Sequence, residues 1–295
     1  MLRGPKTILA IAGVVTILSL TACTAPAEPD TTANLTPAEE VTPGARAQFL
    51  ALVGVDPNVD AAVDKVIHEC MSTAGFDFHP PRTWEFDLDK NNGAVPPLSV
   101  EEAKRSGYAT TTKEFSDREN PPAEPENESE EFAEALSGSR DQPDVTVELF
   151  GSETSWTAGG CVEEAAVRVY GSTKNELIGE DVVYNAGLEA LTASREDPGI
   201  PKVMADWASC MSDTPFPQFR APYEAYKSTL GSATSTIELA VADAECREEM
   251  DYSARLDRIT DLYLSAFLTK YSAELVEVQQ IRKDSQIEAR KVLGG

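Results

Sequence analysis

Apolar residues recur at steps of three and four along most of this chain and alternate along very little of it. In "DPNVDAAVDKVIHECMSTAGF", Val59, Val63, Val66, Ile67, Cys70 and Ala74 share one face of a helix. Asp56 can cap it, Pro57 suits its first position and Gly75 can stop it. "LSVEEAKRSGY" pairs Ser99 with Glu102 in a capping box before Gly107, and "SEEFAEALSG" predicts a helix from Ser129 to Gly138. "GGCVEEAAVRVYG" puts Cys161, Ala165, Val169 and Tyr170 on one face. Helices are also expected around Asp181 to Ala193 and in "PKVMADWASCMS", where Val203, Trp207, Cys210 and Met211 share a side.

Between Ser235 and Leu293 there is neither Pro nor Gly. Ser235 and Glu238 form another capping box, and Leu256, Ile259, Tyr263, Phe267, Tyr271, Leu275, Val278 and Ile281 make a stripe. The pattern predicts one long helix, or two with a break near Asp251. The stripe reads first as core and second as a docking surface. Beyond Arg282 the chain is more polar, which leaves projection from the body open. "WEFDLD" and "VTVELF" are the short strand candidates. The fold class is therefore mainly α with minor strands.

The first residues change the picture from a helical body to an anchored one. "MLRGPK" is basic, Thr7 to Leu20 is short and apolar, and "LTAC" ends at Cys23. That is a secretory signal, too short to be the roughly 20-residue span of a bilayer helix. Small residues directly before a cysteine resemble a bacterial lipobox. In lipoproteins bearing one, the cysteine takes a diacylglycerol and becomes the new N-terminus. The expected division is a signal peptide over 1–22, lipidated Cys23 with a Thr/Pro/Ala/Glu tether to Gly44, and a body from Ala45. An acyl anchor of this kind (diacylglyceryl with palmitate-like chains) holds a protein on the membrane without crossing it.

Charge narrows the partners. The formal net charge is −25, and Arg3 and Lys6 are the only charged residues before Cys23, so the mature chain is more acidic still. Nucleic acid demands a basic face and is excluded as a partner. The same charge argues against a second, electrostatic attachment to anionic lipid. With Cys23 assigned to lipid, Cys70, Cys161, Cys210 and Cys246 remain, an even set in an oxidising compartment. There is no C-x-x-C.

Two of these cysteines sit in a repeat. Laying Cys70 on Cys210 places Val63 on Val203, Ile67 on Trp207, Met71 on Met211, Ser72 on Ser212 and Phe76 on Phe216. Cys161 and Cys246 are each followed, two residues on, by two glutamates. The chain reads as two units, 45–197 with a long acidic insert and 198–295 with the long C-terminal helix. Four cysteines allow three pairings. The repeat favours Cys70–Cys161 and Cys210–Cys246, one bond per unit.

The series "CMSTAGFDF", "SVEEAKRSGYA", "SEEFAEALSG", "GGCVEEAAVRVYG", "WASCMS" and "ELAVADAECRE" resembles a group of uncharacterised secreted actinobacterial lipoproteins. The likeness runs from about Val59 to Glu249 and implies the same two disulfides. It brings no catalytic residue. The chain departs from the pattern at "SDTPFP" and in its acidic insert.

Catalytic and metal signals are thin. His68 and His79 are the two histidines. "HECMS" opens like a zinc-protease helix, but Ser72 takes the second histidine's place, so His68 reads as an ordinary helix residue. "DLDKNNG" lacks the glycine and glutamate of an EF-hand loop and reads as a solvated turn. No G-x-S-x-G elbow or phosphate loop is present. The expectation is a lipid-anchored extracytoplasmic lipoprotein at the cell membrane, a non-enzymatic binding or accessory module with an envelope protein partner and no cofactor. A carboxylate-dependent cell-wall hydrolase and a structural spacer are the alternatives. A hydrolase should show a concave site with two acids of unequal pKa, a binding module an exposed apolar patch.

Overall fold

The chain is built mostly from helices, and only some of them start on a side-chain cap. In the computed structural model, which describes residues 35–54, 56–80, 88, 98–108, 129–139, 141–157, 159–229 and 236–294, all within the unit Thr32–Gly295, the first are α1 (Ala45–Val53) and α2 (Pro57–Thr73). The Asp56 carboxylate accepts from the backbone N–H groups of Asn58 and Val59, and Pro57 opens α2 as expected. The Ser99–Glu102 box caps α3 (Val100–Ser106), and Ser129 caps α4 (Glu130–Ser137). Strands β1 (Asp144–Leu149) and β2 (Ser152–Thr157) pair antiparallel, Leu149 opposite Ser152. Then come α5 (Gly160–Tyr170), α6 (Thr173–Leu177), a π-helical turn (Ile178–Val182) and α7 (Val183–Arg195). The chain continues through α8 (Ile200–Ser212) and α9 (Pro222–Lys227), and ends in α10 (Thr236–Glu249), α11 (Tyr252–Lys270) and α12 (Ser272–Leu293).

The fold is mainly helical with one two-stranded sheet among the described residues. Both expected disulfides are formed, Cys70–Cys161 between α2 and α5 and Cys210–Cys246 between α8 and α10. No helix of the described residues is long and apolar enough to cross a membrane. The signal peptide, Cys23, the tether up to residue 34, the "WEFDLD" strand and "DLDKNNG" turn (Leu88 apart), the acidic loop over 114–128 and the Ser235 cap lie outside the described residues.

Two cores hold the body together. The first gathers Phe49, Val66, Met71, Val169, Leu191, Phe267 and Val278 among others, and the second gathers Tyr108, Trp207, Met211, Tyr226 and Leu239. They do not follow the division at 197/198. Helix α12, from the end of the chain, packs across both Cys helices of the first unit, α2 and α5. Helix α3, from the first unit's insert, packs on α10 of the second. Helix α11 begins in the second core with Tyr252 and Leu256 and enters the first with Leu264 and Phe267. The two units are therefore not separate domains. A disulfide-linked pair of helices leaves one face bare, and each pair covers it with a helix from the other unit.

Three further differences have physical causes. The C-terminal run breaks twice, at Asp251, which adopts a left-handed conformation (φ 53°), and again at Tyr271. Asp tolerates that region better than most residues, so the break needs neither Pro nor Gly. The polar end of the run does not project. Ser285 and Ala289 are buried, and Lys65 Nζ donates to the Val292 carbonyl at 2.8 Å. Finally, residues 35–44 of the expected tether lie along α11. The Ala38 N–H donates to the Leu262 carbonyl, the Thr42 N–H to Ser265 Oγ, and Leu35 packs on the first core. Backbone groups make those bonds, so the Thr/Pro composition gave no sign of them.

One close approach sets the packing of α1 on α7. A Cβ at Gly187 would lie 2.9 Å from the side chains of both Phe49 and Val53. The helices meet where the side chain is missing.

Candidate functional site

The repeat gives each disulfide a similar neighbourhood. After each first Cys helix the chain turns through a Phe six residues past the cysteine, Phe76 in one unit and Phe216 in the other. In the first unit that neighbourhood is filled. Helix α4 packs on α2 and α5, and Phe132 meets Phe76 and Phe78 edge-on with ring centroids 5.3 Å apart in both pairs. Its C-terminal end seats on the start of α5 because glycine is there: a Cβ at Gly160 would stand 2.5 Å from the Ala135 carbonyl oxygen.

In the second unit the corresponding place is a groove of about 780 Å³. One wall is the end of α8 and the turn after it, Cys210 with Asp213 to Phe216. The other is a stripe of α10: Ile237 and Glu238, Val241 and Ala242, Glu245 and Cys246, then Glu249. These recur at the helical period, so one face of α10 is committed to the groove. Phe216, Pro215, Val241 and Ala242 give apolar contact, and Ile237 is 47% exposed at the mouth. Asp213, Glu238, Glu245 and Glu249 are exposed carboxylates around it. Lys104 reaches Glu245 at 3.6 Å. An apolar floor with an acidic rim suits a ligand with an apolar face and cationic flanks.

The opposite face of α10 fixes this wall. Asp243 is fully buried and accepts from four donors: Tyr108 Oη at 2.8 Å, Trp207 Nε1 at 3.0 Å, and Arg247 Nε and Nη2 at 2.7 and 2.6 Å. Arg247 is itself buried and lies over the Tyr252 ring. Burial and the Asp243 carboxylate both push the Tyr108 phenol far above its ordinary range, so it remains a donor. This knot ties α8, α10 and Tyr108, the second residue after α3, together. Sequence reading missed Asp243, because Asp243 and Arg247 look like an ordinary exposed i,i+4 pair.

A second set of acids lies around the π-helical turn. Burial, reinforced by Asp181 and Glu180, pushes the Glu176 carboxyl up to about 8. Burial also raises Glu180, against the pull of Arg282 and of the Tyr170 hydroxyl, which donates to it at 2.9 Å, and burial raises Asp181. Arg282 donates to the Gly179 and Gly54 carbonyls as well. None of these acids lines the groove. Their effect is on stability. A carboxyl whose folded pKa is raised contributes fully below its unfolded value near 4.5, and the contribution is lost as pH climbs through about 8. Glu176→Gln is expected to leave stability unchanged near pH 4. At pH 9 it should raise stability by about 2–4 kcal/mol, allowing for the partial solvent contact of Glu176. Urea titrations of both proteins across this range check it. A variant whose difference from wild type is flat with pH refutes it.

The structure places the other sequence-predicted residues as follows. Cys161 and Cys246 are buried, while Cys70 and Cys210 are partly exposed beside them. Cys23 lies outside the described residues. His68 is on α2 and donates from Nδ1 to the Phe78 carbonyl at 2.8 Å. The Leu256–Ile281 stripe is largely buried, so it serves the cores rather than docking. Comparison of the chain with protein-family models, curated proteins and solved structures finds no match.

Proposed function

We propose that this chain is a lipid-anchored extracytoplasmic binding module, held at the cell membrane through Cys23. Its partner is an envelope protein that presents a cationic amphipathic segment to the groove beside Cys210–Cys246. The observation that carries the binding role is the contrast between the two units. Where the first unit is covered by α4 and Phe132, the second has, among the described residues, an open groove with an apolar floor and acidic rim. The filled neighbourhood indicates the kind of guest the open one takes: a short helix that lays an aromatic side chain against the Phe of the turn. The rim carboxylates require the reverse of α4's charge, whose Glu130, Glu131 and Glu134 are acidic. Two disulfides support an oxidising compartment, and "LTAC" supports the anchor.

A helix-stabilised peptide copying residues 129–138, with its three glutamates replaced by lysine, tests the groove. Saturable binding is expected. Ile237→Glu or Val241→Glu should weaken it by at least about 10-fold, and added salt should weaken it further. Binding that ignores both substitutions, or no saturable binding, sinks the groove as the recognition site.

A further inference from the structure

The chain's two histidines are 11 residues apart in sequence and in ring contact in space. Helix α2 carries His68, and the chain then turns at Gly75 and runs back extended. In that piece Phe76 and Phe78 meet Phe132 edge-on, and the alternating Asp77 and His79 are left on the outer side. The rings of His68 and His79 lie with centroids 4.1 Å apart and planes 17° from parallel, and His79 Nε2 is 3.5 Å from Asp77 Oδ1. One ligand atom from each of His68, Asp77 and His79 lies within 4.8 Å of the others.

We propose that His68, Asp77 and His79 form a surface site for a divalent transition metal of the zinc type, with one position left for water or an outside ligand. Three features carry it. Two imidazoles and one carboxylate are a donor set for Zn²⁺ rather than for Ca²⁺ or Mg²⁺, which take oxygen ligands. His68 already has the outer-shell partner that metal-bound histidines use. The Phe78 carbonyl can only accept, so His68 Nδ1 carries the hydrogen and the lone pair of the neutral ring is on Nε2. The backbone that bears Asp77 and His79 is fixed by its phenylalanines, and α2 by the Cys70–Cys161 bond. Ligands 2.0–2.1 Å from zinc stand about 3.3 Å apart in a tetrahedron. The stacked rings hold their lone pairs in nearly parallel planes, so binding requires the exposed His79 ring to rotate out of the stack and Asp77 to turn with it until the three donor atoms converge. The site is apart from the groove and shares no residue with it.

The test is equilibrium dialysis of the purified full chain against Zn²⁺, with Mg²⁺ in excess to occupy ordinary surface carboxylates. Ring ¹H–¹⁵N spectra are recorded alongside, where the two imidazoles give an uncrowded pair of signals. One Zn²⁺ per chain is expected, and both histidine rings should shift on binding. Outer-shell partners alone are worth about 10–100-fold in metal affinity, so His79→Ala should weaken binding by at least about 100-fold. Exposed His79 can be replaced without touching a core. Retention of Zn²⁺ by His79→Ala at wild-type affinity, movement of only one ring signal, or no retained Zn²⁺ by the wild-type chain would each overturn the proposal.

Discussion

Asp243→Ala should lower the stability of this protein by at least about 3–5 kcal/mol, one of the largest effects expected of a single substitution in it. The side chain is fully buried and accepts from Tyr108, Trp207 and twice from Arg247. Removing one partner of a buried ion pair leaves a desolvated charge behind, which is why such losses are large. The two neutral donors, Tyr108 and Trp207, lose their acceptor as well. For a body of this size the melting temperature should fall on the order of 10 °C. Calorimetry measures it, and near-ultraviolet spectra should report the change at Trp207. A double variant, Asp243→Leu with Arg247→Met, should recover much of the loss, because an apolar replacement removes both charges together. A loss under about 1 kcal/mol for Asp243→Ala would mean that water enters the knot and that α10 is not braced by it. Because the groove uses the opposite face of α10, the same variant should also blunt peptide binding.

Opening the first disulfide is expected to be comparably damaging. Cys70 and Cys161 are 91 residues apart, and Cys210 and Cys246 are 36 apart. Restriction of the unfolded chain gives roughly 4–5 kcal/mol for the longer loop and roughly 3–4 for the shorter. Cys161→Ser with Cys70→Ser should therefore destabilise slightly more than Cys210→Ser with Cys246→Ser, in denaturant titrations of the otherwise oxidised protein. Packing works in the same direction. Cys161 is buried, and α12 lies across the helices that its bond joins, so loosening α2 from α5 also disturbs the end of the chain. If the shorter loop proves the costlier to open by several kcal/mol, strain or residual structure outweighs loop entropy here.

The helices were legible wherever a cap and a periodic face coincided, as at Asp56–Pro57 and Ser99–Glu102. The disulfide pairs were legible because the Cys-Met-Ser repeat gave each bond a matching context. The hairpin was only half visible. Its two-residue turn is Phe150–Gly151, both at positive φ, where Asn-Gly would have advertised it. Phe150 accepts that conformation because its ring is buried against Phe267 and Tyr271. The exchange of α3 and α12 between the cores was not visible, since amphipathic faces say that a helix is covered and not by which neighbour. The groove escaped for the same reason. Ile237, Val241 and Glu245 read as one more helix face until the absence of an α4 counterpart among the described residues leaves that face open. The two histidines were read separately, and only the turn at Gly75 brings them together.

The claim on which the functional account rests is an acyl-anchored, oxidised protein outside the cytoplasm. Peptide-level mass spectrometry of the membrane-extracted protein, without reduction, tests it most directly. The account predicts an N-terminal peptide beginning at a diacylglycerylated Cys23, together with linked Cys70–Cys161 and Cys210–Cys246 peptides. An unmodified Cys23 within a chain cut elsewhere, or free thiols at the other four cysteines, would contradict it.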